Sequence, residues 1–158
     1  MAPPLGGRRT HRVTGRGEAA VPRCLVRLNN RADFLRVAAS GRRAVRPGLM
    51  LQAAAAPSGI DKAAVRVGFT ASRRVGNAVA RNRAKRRLRA AAADILARDG
   101  RCGTDYVLIA RAGTEGRRYV ELLGDLASAL RQVSRQADRK QQPAPGPAAA
   151  QPLPVKED

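Results

Sequence analysis

Tryptophan is absent from the 158 residues, histidine occurs once, cysteine twice, and aromatic residues make up only 3% of the chain. His11 stands alone, and Cys24 and Cys102 form no CxxC pair, so the chain lacks the ligand spacing of a zinc site. Two isolated cysteines fit a reducing compartment, the cytoplasm, with no structural disulfide. No apolar run approaches the length of a membrane span. A basic helix bound to a membrane surface would line one face with Trp, Phe or Leu, yet there is no Trp and aromatics are only 3%. The N-terminal "MAPPLGGRRTHRVTGRGEAAVPR" has no hydrophobic stretch of the secretory kind. Its Arg-rich, acid-poor character loosely resembles a transit peptide, though a disordered basic arm is the commoner explanation.

Acids are the other scarcity. Asp plus Glu number 12 against 31 Lys plus Arg, a formal charge of +19. Such a field makes sense for a polyanion, above all nucleic acid, because each neutralised phosphate releases condensed counterions.

The chain divides into three. Residues 1–24 are rich in Gly, Pro and Arg without periodicity, and 136–158 are rich in Pro, Ala and Gln. Neither buries enough apolar surface to offset the entropy of ordering, so both read as disordered. The folded unit is 25–135. In it, "LNNRADFLRVAASG" predicts a helix with Asn30 as N-cap, Asp33 three residues on as an acidic relative of the capping box, and Phe34, Val37 and Ala38 on one face. Gly41 closes it. "LMLQAAAA" reads as a short strand. "AVRVGFTAS" alternates, with Val65, Val67, Phe69 and Ala71 on an apolar face and Arg66, Gly68, Thr70 and Ser72 on an open polar one. A helix over about 78–98 carries Ala80, Ala84, Leu88, Ala91 and Ile95 as its packing stripe and ends at Gly100. "TDYVLIAR" is a strand, and a last amphipathic helix packs through Tyr119, Leu122, Leu123, Leu126 and Leu130. The order is α-β-β-α-β-α, with room for a further short strand near 42–46. The class is α+β, a two-layer sandwich of helices on a mixed sheet.

The 78–98 helix sets the functional question. Its Arg81–Arg89 stretch, "RNRAKRRLR", holds six cations in nine positions, and no acid occurs between Asp61 and Asp94. Arg81 with Lys85, and Lys85 with Arg89, are like charges at i,i+4, each costing a few tenths of a kcal/mol with no local partner to relieve it. A polyanion would relieve it. Arginine outnumbers lysine, matching forked phosphate recognition, and Asn82 can both donate to and accept from a base edge or sugar hydroxyl. A solvated charged face is the bland alternative.

"RVGFTASRRVGNAVARNRAKRRLR", residues 66–89, resembles the signature of the bacterial ribonuclease P protein family. The likeness runs from Arg27 through "RADFLRV" to "DYVLIAR" and the last helix. It implies an α/β sandwich with a left-handed βαβ crossover, opposite to the general rule. It also implies a small basic subunit that joins a catalytic RNA to remove the 5′ leader of precursor tRNA. On this resemblance Arg81, Asn82, Arg83, Lys85, Arg86 and Arg89 dock on the catalytic RNA. The leader lies in a cleft between the first helix and the sheet, met by Phe34, Arg66, Thr70, Ser72, Arg73 and Arg74. Phe34 has a plain core role as its alternative. Members of the family often have aromatics where this chain has Ala38 and Gln52, and a larger aliphatic where it has Ala84.

No carboxylate pair or His-centred constellation reads as catalytic, and Asp94 and Asp99 read as surface or salt-bridging groups. The resemblance places the chemistry on the RNA, with Mg²⁺ expected there and no cofactor held by a protein motif. No protein partner and no membrane are expected. A ribosomal-type structural RNA binder and a DNA-binding protein with the basic helix in a major groove are the alternatives from other classes.

Overall fold

The computed structural model describes residues 25–142. The expected N-terminal arm, with Cys24 and His11, and the tail beyond 142 lie outside the described residues. Eight elements follow one another: β1 (Leu25–Arg27), α1 (Arg31–Ala39), β2 (Arg42–Val45), β3 (Leu49–Ala55), β4 (Val65–Ala71), α2 (Ala78–Asp99), β5 (Thr104–Ala110) and α3 (Tyr119–Gln141). A 3-10 turn at Arg73–Val75 joins β4 to α2. The strands form one mixed sheet in the order β1-β4-β5-β3-β2, the α+β layering expected.

The alternation of β4 decides the layers. Val65 and Val67 point into the larger core with Tyr106 and Leu108 of β5 and Leu49 and Leu51 of β3, and Phe69 and Ala71 pack against it. The apolar stripes of α2 (Ala84, Leu88, Ala91, Ala92, Ile95, Leu96) and α3 (Leu122, Leu126, Ala129, Leu130, Val133) close this core. The small alanines at 84, 91 and 92 are fully buried, letting α2 approach the sheet closely. On the opposite face α1 covers only a patch, where Val37 packs with Leu28, Ala54 and Val107.

Asn77 caps α2 by accepting a 2.9 Å hydrogen bond from the Ala80 amide, satisfying one of the unpaired first-turn donors. The Gly100 amide closes the other end on the Leu96 carbonyl at 2.9 Å. The Pro47-Gly48 turn between β2 and β3 is pinned to α3. The Gly48 amide donates to Asp125 at 3.0 Å, the Thr114 hydroxyl donates to the Gly48 carbonyl at 2.6 Å, and Arg117 holds the same carboxylate at 2.5 Å. A Cβ at Gly48 would sit 2.7 Å from Arg117 Cδ and from Asp125 Oδ2, so only glycine fits there.

The structure differs from the sequence reading in three places and bears it out in a fourth. Residues 25–27 form an edge strand parallel to β4, with Leu25 opposite Val65; three residues are too few to carry a pattern of their own. The optional strand near 42–46 is present as β2. Helix α3 runs on to Gln141, six residues past the boundary drawn at 135, because Ala137 is buried and Asp138 is gripped by Arg101. Asn30 is the N-cap of α1 by position but makes no side-chain cap bond, and Ala38 is exposed. Asp33 has turned away from the helix terminus toward the sheet.

Candidate nucleic-acid interface

Because α2 buries a narrow stripe of small and aliphatic residues, its cations are driven to the remaining circumference. Asn82, Arg83, Arg86 and Arg89 are exposed, and Arg81 and Lys85 are half-buried along the flank. Two of these side chains have contacts of their own. Arg83 lies 3.3 Å from Glu115, with both groups largely in solvent, a pairing of little energetic weight. The Arg89 guanidinium sits 5.8 Å from the centroid of the Phe69 ring, a cation–π contact that steadies it at the end of β4. The Arg81 Nε is buried without an acceptor.

Arg87 stands in the same run and does something else. Its guanidinium donates to the backbone carbonyls of Thr114, at 3.0 Å, and of Glu115 and Arg117. It ties the 111–118 loop to α2 and has little capacity left for a ligand. The resemblance leaves Arg87 out of the docking set, and its role as a loop anchor depends on which loop packs beside it.

On the other side of the sheet an open groove of about 360 Å³ is lined by Asn29, Arg31, Phe34 and Thr70. Gly68 makes room for Phe34: a Cβ there would lie 2.5 Å from the ring. The pairing register places Thr70 beside Ile109 and Ile109 beside Met50, so a half-exposed apolar row continues the floor past Phe34. Sequence reasoning missed Met50, Ile109 and Arg31; only the register reveals the first two. Gln52 pairs with Val107 on this face, and Ala38 stays exposed. The chain thus offers one aromatic, Phe34, plus aliphatic surface. Ser72, Arg73 and Arg74 are exposed at the end of β4, between the groove floor and the start of α2.

Arg66 is not in the groove. Its side chain is 9% exposed, 2.5 Å from Asp33 of α1 and 3.3 Å from the fully buried Asp105 of β5. The second contact is close enough to attract but poorly aligned, and Arg66 Nη1 and Asp105 Oδ1 complete no hydrogen bond. Arg36 adds a second cation, reaching Asp105, Asp33 at 3.4 Å and the Ala55 carbonyl at 2.6 Å. Two arginines and two aspartates therefore bolt α1 to the sheet. The alternation put Arg66 on the correct face, but Asp33, assigned to the helix cap, consumes its charge.

The remaining acids are also engaged. Asp94 accepts a 2.5 Å hydrogen bond from the Tyr119 hydroxyl, which pushes the phenol up to about 12. Asp99 pairs with Arg98 at 3.3 Å. Arg101 donates twice to Asp138, at 2.8 and 3.0 Å, and holds that carboxyl below its ordinary range. Among the described residues no group of three or more His, Cys, Asp or Glu side chains converges as a metal cage would require, and no helix is long and apolar enough to cross a membrane.

Residues 23–134 match the family model described as Ribonuclease P. A protein of Paramagnetospirillum magneticum named ribonuclease P protein component is 55% identical over 111 residues, covering 69% of this chain and 83% of that one. One of the same name from Gluconacetobacter diazotrophicus is 47% identical over 107 residues, covering 68% and 90%. Among solved structures, the Staphylococcus aureus RNase P protein superposes with a TM-score of 0.55 at 25% identity, over 66% of this chain and 92% of that one. The RNase P protein from Thermotoga maritima gives 0.52 at 25% identity, over 66% and 94%.

Proposed function

The chain belongs to the ribonuclease P protein family, and from that premise we propose that it is the protein subunit of a ribonucleoprotein that removes the 5′ leader of precursor tRNA in the cytoplasm. The observation that carries the reading is the basic ridge of α2, where the exposed Asn82 and Arg86 and the half-buried Lys85 have no side-chain partner in the described part of the chain. This ridge docks on the catalytic RNA, its guanidinium forks meeting phosphates and Asn82 reading a base edge or a 2′-hydroxyl.

The groove beside Phe34 receives the single-stranded leader. A single strand is held by cations along its backbone and by flat or apolar surface under its bases. Arg31, Arg73 and Arg74 supply the first, while Phe34, Met50 and Ile109 supply the second. Thr70 and Ser72 add hydroxyls that donate to or accept from the sugar and phosphate. With one aromatic in place of several, the grip leans on charge.

This chain's own residues position and screen. By lowering phosphate repulsion between leader and catalytic RNA they bring the scissile bond to the reacting groups. Among the described residues no group of three or more His, Cys, Asp or Glu side chains converges to hold a divalent cation, so we assign the Mg²⁺ of the reaction to the RNA, where it would activate water and stabilise the leaving oxygen.

Competition tests the docking half of the reading: labelled catalytic RNA bound to the protein is challenged with unlabelled catalytic RNA or with duplex DNA of equal length. Structured RNA displaces the label at far lower concentration than DNA. Equal displacement would return α2 to the class of general polyanion binders.

A further inference from the structure

Helix α3 carries a second cationic surface for which the ridge and the groove have no use. Beyond Val133 it buries only Ala137. On its outer side Arg131, Arg135 and Arg139 recur every fourth residue, all exposed, and none makes an ion pair or side-chain hydrogen bond within the described residues. Each four-residue step advances about 6 Å along the helix, close to the separation of neighbouring phosphates on an RNA strand. Like charges at this spacing oppose helix formation when nothing neutralises them.

Arg131 and Arg135 also line a groove of about 440 Å³ between α3 and the C-terminal end of α2, with Leu130, Ser134, Asp99 and Asp138. The two acids do not answer them. Asp99 is taken by Arg98 and Asp138 by Arg101, so Arg131, Arg135, Arg139 and the neighbouring Lys140 are left as excess charge. Asp99 follows Arg89 by ten residues, about 15 Å along α2, and the surface is therefore remote from the docking ridge. It also lies on the face of the sheet opposite the Phe34 groove.

We propose that this face of α3 is a second RNA-docking surface, taking the phosphate backbone of a segment of the catalytic RNA other than the one met by α2. The inference rests on the function proposed above. A second copy of this chain is a poor occupant, since it brings the same +19 charge. The single-stranded leader is also a poor one, since no aromatic side chain lines the groove. A structured backbone needs only cations at phosphate spacing, which is what the helix presents.

The test compares the full chain, Arg86→Ala and the triple variant Arg131→Gln/Arg135→Gln/Arg139→Gln in binding to the cognate catalytic RNA across a salt series, with a hydroxyl-radical footprint of the RNA. Glutamine keeps the helix propensity of arginine, and unchanged circular dichroism verifies the fold. The triple variant is expected to bind about tenfold or more weakly at moderate salt, with a salt slope shallower by about two units. It should lose one protected RNA segment that Arg86→Ala retains. A triple variant with wild-type slope and footprint, beside a weakened Arg86→Ala, would overturn this surface alone. Loss of affinity for precursor tRNA with catalytic-RNA binding intact would overturn it in favour of the tRNA. A wild-type chain that does not bind the catalytic RNA overturns both this inference and the function beneath it.

Discussion

Arg66 of β4 donates to Asp33 of α1 across 2.5 Å, and through this contact a helix with one fully buried residue, Val37, is held against the sheet. Asp33 precedes Phe34, so the ion pair also sets where the groove's one aromatic stands. Removing one member of a buried pair strands the other charge. Arg66→Met should therefore destabilise the domain by about 3 kcal/mol, read from denaturant unfolding. At temperatures where the variant stays folded it should lose preference for leader-bearing tRNA while keeping wild-type affinity for the catalytic RNA. Unaltered leader preference would uncouple the ion pair from the groove.

Phe34 and Gly68 form a second such relationship. A methyl group on Gly68 would meet the Phe34 ring at 2.5 Å, and the ring must move. Gly68→Ala and Phe34→Ala should each reduce discrimination between precursor and mature tRNA, measured as the ratio of holoenzyme affinities. The first should also cost roughly 1–3 kcal/mol from overpacking. Unchanged discrimination in both would make Phe34 a core residue only.

Arg86 is exposed without a side-chain partner among the described residues, whereas its neighbour Arg87 is tied to the 111–118 loop. Arg86→Ala should leave stability within about 0.5 kcal/mol and make the salt dependence of catalytic-RNA binding shallower by up to about one unit. Arg87→Ala removes three hydrogen bonds to the 111–118 loop and should cost about 2 kcal/mol with little change in slope. Salt titration and chemical denaturation of the two variants check the contrast, and the reverse pattern would exchange their roles.

Tyr119 supplies a pH signature. Its phenol, raised to about 12 by the hydrogen bond to Asp94, ionises less readily folded than unfolded, where the ordinary value is about 10. Its stabilising contribution is complete below pH 10 and is lost as pH rises toward 12. Tyr119→Phe should flatten that part of the alkaline unfolding profile. A profile identical to wild type would mean that the bond does not form in solution.

Much of this was legible in the sequence because it depends on local period. The alternation of β4 sorted Val65 and Val67 from Arg66 and Gly68, and helical spacing separated Ala84 and Leu88 from Arg86. What escaped depends on chain segments that meet only in the fold. Asp33 has the sequence position of a capping residue and the tertiary position of an ion-pair partner. Arg87 stands in the same basic run, outside the residues assigned to RNA, and serves as a loop anchor. Strand β1 exists because β4 offers an edge, and Met50 and Ile109 reach the groove floor through register alone. The last turns of α3 were assigned to a disordered tail since their composition is polar; Ala137 and the Arg101–Asp138 pair extend the helix.

On the function proposed above, this chain equips a catalytic RNA to act on leader-bearing tRNA. The most direct test is 5′-leader cleavage of a precursor tRNA at low Mg²⁺ by the cognate catalytic RNA, with the protein, without it, and with the protein alone. Cleavage only when RNA and protein are together, giving the mature 5′ end, is the predicted result. Tight RNA binding with no effect on cleavage would contradict it and leave a structural RNA-binding protein in its place.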